Sequence, residues 1–192
     1  MNRKDGDLVY RAAQGEVGAF SQLVREYSGL VYRVSLRMLG DKEAQDASQE
    51  VWIRVWQSIK EFRGESAFST WLYRITVNTC LNAREKELRR EARELSEELP
   101  FLPGPSGEEH DPEATTLSRE RKDELLANLQ ELRAEHRAAL VLRHMEGLGY
   151  AEISEVLEVP EGTAKGWVSR GRAALLVILS GEAGNGRDGS GP

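Results

Sequence analysis

The sequence predicts an all-α protein of two small helical domains, and three observations carry that prediction. Apolar residues recur at three- and four-residue intervals through most of both halves, the stripe of an amphipathic helix. No alternating β-branched run is bounded by hairpin turns, so strand signals are absent. Between the halves lies LPFLPGPSGEEHDPEATT, whose prolines remove amide donors and whose glycines raise the entropy of ordering. The chain therefore divides into a first domain over residues 1–95, a flexible acidic linker over 96–118, a second domain over 119–180 and a tail over 181–192. The tail, GEAGNGRDGSGP, has five glycines in twelve residues and is expected to be disordered. A chain of 192 residues is long enough for two such domains.

In the first half, Phe20, Leu23, Val24, Tyr27, Val31 and Val34 mark one long helix. Gly40 is placed to end it, and Asp41 to cap the next. Trp52, Val55, Trp56, Ile59 and Phe62 keep the same period. The segment FRGESAFS breaks the pattern with Gly64 and two serines, and a further helix begins near Ser69 with Trp71, Leu72, Ile75 and Thr79 on one side. It runs on into NAREKELRREAR, where apolar residues nearly vanish.

In the second half, Leu125, Leu129 and Leu132 give one stripe, and Leu140, Val141, Leu142 and Met145 a second helix that Gly147 and Gly149 punctuate. Ile153, Val156 and Leu157 then make a short helix, with Glu158 and Val159 as a turn. Ala164, Trp167, Val168, Gly171, Leu175 and Ile178 form the buried stripe of a last helix. A short helix, a tight turn and a longer helix make a helix-turn-helix.

The formal charge of −6 is uneven along this plan. Residues 1–94 carry +2, residues 95–124 carry −6 and residues 125–192 carry −2. The acidity sits between the domains, so the low pI of 5.3 does not exclude a nucleic-acid partner. The N-terminus lacks the apolar core of a signal peptide and no apolar run approaches membrane-span length, which predicts a cytoplasmic protein with no membrane insertion. One cysteine, Cys80, excludes an internal disulfide framework and a cysteine-cluster metal site, and it is read as a half-buried structural residue. His110, His136 and His144 have no ligand spacing, and neither a phosphate-binding glycine loop nor HExxH is present. No metal, no cofactor and no enzymatic activity are expected.

Three features carry chemistry. The helix-turn-helix places the start of its second helix, Pro160–Gly162, where side chains reach base edges in a major groove. Thr163 offers a small hydroxyl there, and Lys165, Arg170 and Arg172 share an exposed side with Ser169. An ordinary helical hairpin with a solvated basic face fits the same pattern. Second, Phe62 and Phe68 flank Arg63 and Gly64 in a loop, and the following helix presents Arg74, Asn78, Asn82, Arg84, Lys86, Arg89 and Arg90. Aromatic rings stack on unpaired bases while cations follow the backbone. A core-packing role is the better reading for Phe68 and Trp71. Third, Asp46, Gln49 and Glu50 share an acidic polar face opposite Trp52 and Trp56, suited to a basic partner helix or simply to solvent.

QEVWIRVW, FRGESAFSTWLYRITVNT and LRHMEGLGYAEISEVLEVPEGTAKGWVSRGRAAL together resemble the extracytoplasmic-function sigma factors, a sigma-70 family group of small two-domain RNA polymerase subunits. The likeness covers roughly residues 5–179, in the same order and with a linker between. It implies that the first domain grips core RNA polymerase and opens the −10 element. Asp46, Gln49 and Glu50 would dock on the β′ clamp helices. The loop holding Phe62, Arg63, Gly64 and Ser66 would capture a base flipped from the −10 strand, with Asn78, Asn82, Arg84, Arg89 and Arg90 as further −10 contacts. The second domain would sit on the β flap and read the −35 element through Thr163, Lys165, Gly166, Trp167, Ser169, Arg170 and Arg172. The acidic linker would run near the RNA exit path, and an anti-sigma factor is implied as regulator.

The recognition helix departs from the family's GTVKSR or GTVRSR, reading Gly162-Thr163-Ala164-Lys165-Gly166-Trp167. Gly166 removes a side chain at a common contact position, Trp167 replaces a usual arginine, and Glu158 stands where the turn often has glycine.

Overall fold

A computed structural model describes residues 3–94 and 116–185, and all of its regular elements there are helical. The expected linker lies outside the described residues except for 116–118, which open a helix. Residues 181–185 of the expected tail are also helical. Adding one residue to an existing helix brings one hydrogen bond without a new nucleus, so the last helix outruns its apolar stripe.

In the first domain, α1 (Arg3–Ala13), α2 (Val17–Leu39), α3 (Asp41–Ser58) and α4 (Phe68–Glu94) surround a core of Leu23, Val31, Val51, Val55, Phe68 and Leu72. The turn between α2 and α3 is a single residue. Gly40 has φ +87°, a conformation that lets its amide donate back to the Leu36 carbonyl while it also precedes α3. Asp41, expected as the cap, is instead the first helical residue, where its charge faces the positive end of the helix dipole. Edge contacts of Phe20 with Trp52 and Trp56, at centroid distances of 6.0 and 4.7 Å, hold the start of α2 on α3.

The second domain comprises α5 (Thr116–Gln130), α6 (Ala134–Leu140), a π-helical turn (Val141–Met145), α7 (Tyr150–Leu157) and α8 (Glu161–Asn185). Leu129, Leu132 and Leu140 are buried against the flank of α8 that carries Leu175 and Ile178. Gly171 permits a close approach of α6 and α8: a Cβ there would stand 2.8 Å from the His136 carbonyl oxygen.

The two domains also share a core. Val34 and Met38 of α2 and Tyr73, Val77 and Cys80 of α4 pack with Leu142, Ile153, Val156, Ala164 and Val168 of the second domain. Helix α4 is thus buried on two flanks. Cys80, read as half-buried, is fully buried for this reason. Its thiol donates to the Ser35 hydroxyl at 3.8 Å, and desolvation pushes its pKa up to about 11.

Polar groups fix the register of this seam. Arg137, 2% exposed, donates to the carbonyls of Gln130, Leu132 and Met38 and to the Gln130 side chain, joining α5, α6 and the end of α2. Gln130 in turn donates to the Arg37 carbonyl at 3.3 Å.

Candidate nucleic-acid interface

The helix-turn-helix is built by a few local bonds. Glu152 accepts the Gly149 amide at 2.7 Å and so caps the start of α7. At its end Glu158 takes a left-handed conformation, φ +54° and ψ +42°, which glycine adopts without steric cost. Ser154 supports that turn: its hydroxyl donates to the Val159 carbonyl at 2.6 Å, and its own carbonyl accepts the Val159 amide at 3.2 Å. Pro160 immediately precedes α8, its carbonyl accepting the amides of Thr163 and Ala164.

Helix α8 sorts its residues by side. Ala164, Val168 and Gly171 are buried, whereas Lys165, Ser169, Arg170 and Arg172 are exposed and Thr163 is half-buried. Trp167 is half-buried and packs against the shared core, apart from the exposed basic row. Its large apolar area explains that placement. Gly166 has a different consequence: the Arg170 guanidinium lies over it, 3.3 Å from where a Cβ would be. Arg170 also donates to the His136 Nε2 at 3.3 Å, and burial lowers the His136 pKa toward the neutral acceptor form. Lys165 pairs with Glu161 at 2.7 Å and stands over the Tyr150 ring.

The aromatic loop follows a 3-10 turn (Ile59–Glu61) at the end of α3. Gly64, at φ +72°, lies in the short connection between Phe62 and the start of α4, whose Phe68 and Trp71 meet the Phe62 ring. Phe68 and Trp71 are buried, as the core-packing reading expected. Phe62 is half-buried, edge-on to Phe68 at 5.8 Å and tilted on Trp71 at 5.2 Å. Beside these rings opens a cleft of about 510 Å³, lined in the first domain by Phe62, Trp71, Arg63, Arg74, Ser66 and Thr70, with Glu61 and Glu65 also on its wall. That volume is in the range of small-ligand pockets, and its aromatic and hydroxyl lining suits one unstacked base. The opposite wall comes from the second domain, through Ser154, Glu155 and Glu158 of α7 and its turn.

Along α4 the spacing of Arg74, Asn78 and Asn82 puts them one turn apart on one face, with both asparagines exposed. Further on, Arg89 pairs with Glu85 at 2.6 Å and Arg90 with Glu87 at 2.7 Å. A second groove, of about 910 Å³, runs between α3 and α4, with Arg84, Arg89 and Arg90 on one side and Asp46 on the other. Asp46, Gln49 and Glu50 are all exposed on α3, and Glu50 is held by Arg54 at 2.7 Å.

Sequence reasoning missed the groups that join the domains. Glu146 follows the π-helical turn, which its amide closes on the Val141 carbonyl at 3.1 Å. Its side chain is 3% exposed and meets Arg33, Arg37 and the Tyr73 hydroxyl, all in the first domain. The Arg33 contact is 3.3 Å and the Tyr73 contact 2.9 Å. Burial raises the Tyr73 pKa, with the Glu146 carboxylate adding to the shift. Among the described residues no cluster of potential metal ligands occurs, and no helix is long and apolar enough to cross a membrane.

Comparisons with known proteins agree with this arrangement. The family model of Sigma-70 region 2 matches residues 23–93, and that of Sigma-70, region 4 matches residues 122–175. The RNA polymerase sigma-H factor of Pseudomonas aeruginosa is 35% identical over 181 residues, covering 92% of this chain and 94% of that one. The ECF RNA polymerase sigma-E factor of Haemophilus influenzae is 37% identical over 175 residues, covering 89% and 93%. Among solved structures, CnrH in complex with the cytosolic domain of CnrY has a TM-score of 0.67 at 22% identity, covering 93% of this chain and 99% of that one. The sigma factor RpoE in complex with the anti-sigma factor NepR from Bartonella quintana has a TM-score of 0.63 at 19% identity, covering 84% and 96%. These two share the fold. With both regions matched in order and relatives above 30% identity along nearly their whole length, the chain belongs to the extracytoplasmic-function sigma factors of the sigma-70 family.

Proposed function

We propose that this chain binds core RNA polymerase and directs initiation at promoters of its own class, working in the cytoplasm without catalysis of its own. The observation that carries the reading is the pairing, in one chain, of matched regions 2 and 4 with a helix-turn-helix that keeps Lys165, Ser169, Arg170 and Arg172 exposed together. In this reading α8 enters the major groove at the −35 element. Thr163 stands at its N-terminal end, where helix amides favour a phosphate, and the basic residues take phosphates or guanine edges. Gly166 contributes by admitting the Arg170 guanidinium, and Trp167 by fixing α8 on its core.

At −10 the separated strand would pass along Arg74, Asn78 and Asn82, with Arg84, Arg89 and Arg90 following its backbone. One base would leave the stack for the cleft at Phe62, Arg63, Gly64 and Ser66. Unstacking costs a few kcal/mol, which ring stacking and the surrounding hydrogen bonds must offset. Asp46, Gln49 and Glu50 would meet the β′ clamp helices, and the second domain the β flap. An anti-sigma factor is the proposed regulator, and the two solved neighbours of this fold that are bound to such partners or to a cytosolic partner domain support it.

Docking through the α3 face is tested by gel filtration with core polymerase. The wild-type chain is expected to co-elute. The double substitution Asp46→Lys, Glu50→Lys, on exposed side chains, is expected to weaken binding at least about tenfold, because like charges placed across an interface cost several kcal/mol. Unchanged co-elution of the folded double variant would remove this face from the interface.

A further inference from the structure

We propose that the packing of the second domain on the first is an autoinhibited closed form, in which Glu146 is the latch and α7 shuts one side of the base-capturing cleft. The proposal rests on reading the Phe62 cleft as the site for an unpaired −10 base.

The latch is specific in its chemistry. Glu146 belongs to the second domain, yet Arg33, Arg37 and Tyr73, its three partners, belong to the first. A carboxylate withdrawn this far from water is tolerated because two guanidinium groups and a hydroxyl surround it. Removing the carboxylate leaves Arg37 and Tyr73 without that partner at a partly buried seam, so the charge of Glu146 bears on closure directly. The π-helical turn and Gly147, at φ +76°, set the chain path on either side of Glu146.

The obstruction is equally specific. The cleft floor is formed by the first domain, where Glu61 and Glu65 stand beside Arg63 and Arg74, and Glu155 and Glu158 of the second domain add two further carboxylates. Glu158 also pairs with Arg74 at 3.4 Å. That arginine begins the row that continues through Asn78 and Asn82. Single-stranded DNA arriving at this cleft meets added negative charge and a neutralised cation, the reverse of what its backbone requires. The apolar seam of Val77, Ile153 and Val156 makes closure the resting state of the free chain, and opening it exposes surface that a partner must cover. Docking on polymerase, which engages both domains, is the event that opens it.

The test uses the full chain. Donor and acceptor dyes are placed on cysteines introduced at exposed Lys60 and Ala151, the native Cys80 being buried. Binding is read with a fluorescent single-stranded DNA of randomised sequence, and circular dichroism checks the fold of every variant. Free wild-type protein is expected to show high energy transfer and weak DNA binding. Glu146→Gln is expected to lower the transfer and tighten DNA binding about tenfold, as expected when the competent state is a minor population in the wild type. Glu158→Gln, on an exposed side chain outside the cores, is expected to tighten binding by a smaller factor. Adding Phe62→Ala to Glu146→Gln should cancel the gain. Unchanged transfer and binding in both folded glutamine variants would overturn the proposal, and so would a gain that survives Phe62→Ala. An error in the cleft assignment shows separately in the holoenzyme, where Phe62→Ala would leave promoter opening intact.

Discussion

Replacing Arg137 with alanine is expected to destabilise the protein by about 3–5 kcal/mol, the range for removing one partner of a buried charged network. Its guanidinium serves three main-chain carbonyls from two domains, with the NH2 bonds to Gln130 and Leu132 at 2.6 and 3.0 Å. Alanine would leave those acceptors without their donor, at about 1–3 kcal/mol for each that water cannot reach. The charge itself is not comfortable there. Desolvation, helped by the nearby Arg84, lowers the Arg137 pKa to about 10, and its Nε lacks a partner. Arg137→Lys keeps the charge but not the planar fork that reaches several carbonyls, so an intermediate loss is expected. Denaturant unfolding measures both. Total stability is only about 5–15 kcal/mol, so the alanine variant should be partly unfolded at moderate temperature. A shift below about 1 kcal/mol, the usual size for surface positions, would show that water replaces the guanidinium at this seam.

Asn78→Ala is expected to do the opposite: to spare the fold and remove one function. Asn78 is exposed and lies outside all three cores, so its substitution should change stability by no more than about 0.5 kcal/mol. A bidentate amide contact with a base edge discriminates by about 1–3 kcal/mol, on the order of 10- to 100-fold in promoter opening. Core polymerase affinity should stay at the wild-type value, because Asn78 is on α4 and the proposed docking face is on α3. Permanganate footprinting of the opened strand and gel filtration with core polymerase give the two readouts. Equal loss in both would mean that Asn78 supports the fold, contrary to its exposure.

The contrast between these residues marks what the sequence makes legible. Period and punctuation were enough for the later helices: the stripes at Leu23, Val31 and Val34 and at Ala164 and Val168 are buried as read, and Gly40 does break α2 from α3, but α1, with its buried Leu8, Val9 and Ala12, was not read. The helix-turn-helix was legible because it is local, with every bond of its turn spanning five residues or fewer. Phe68 and Trp71 fell on the core side as read, whereas Trp56, on the stripe with Val55 and Ile59, is 40% exposed.

Missing from that reading were the groups whose partners are distant in the chain. Arg37 meets Glu146 across 109 positions, and Arg137 meets the Met38 carbonyl across 99. A charged residue inside an amphipathic pattern looks the same whether it faces water or a second domain. Helix α4 shows the point most clearly. Its first stripe, through Trp71, Leu72 and Ile75, was evident, but Tyr73, Val77 and Cys80 make a second one against α7. One apolar face can be inferred from period alone, whereas a second face becomes visible only when its cover is known. Asp41 was misplaced by a single residue because Gly40 performs both the stop and the start.

Promoter-directed transcription by the reconstituted holoenzyme tests the central claim most directly. Purified chain and core polymerase would be incubated with a library of randomised DNA, the retained duplexes recovered, and run-off transcription measured on them. The expected result is enrichment of duplexes sharing two elements at −35 and −10 spacing, with transcripts starting only when both chain and core are present. Enrichment of one palindromic site by the chain alone, or co-elution with core polymerase without any transcript, would contradict it.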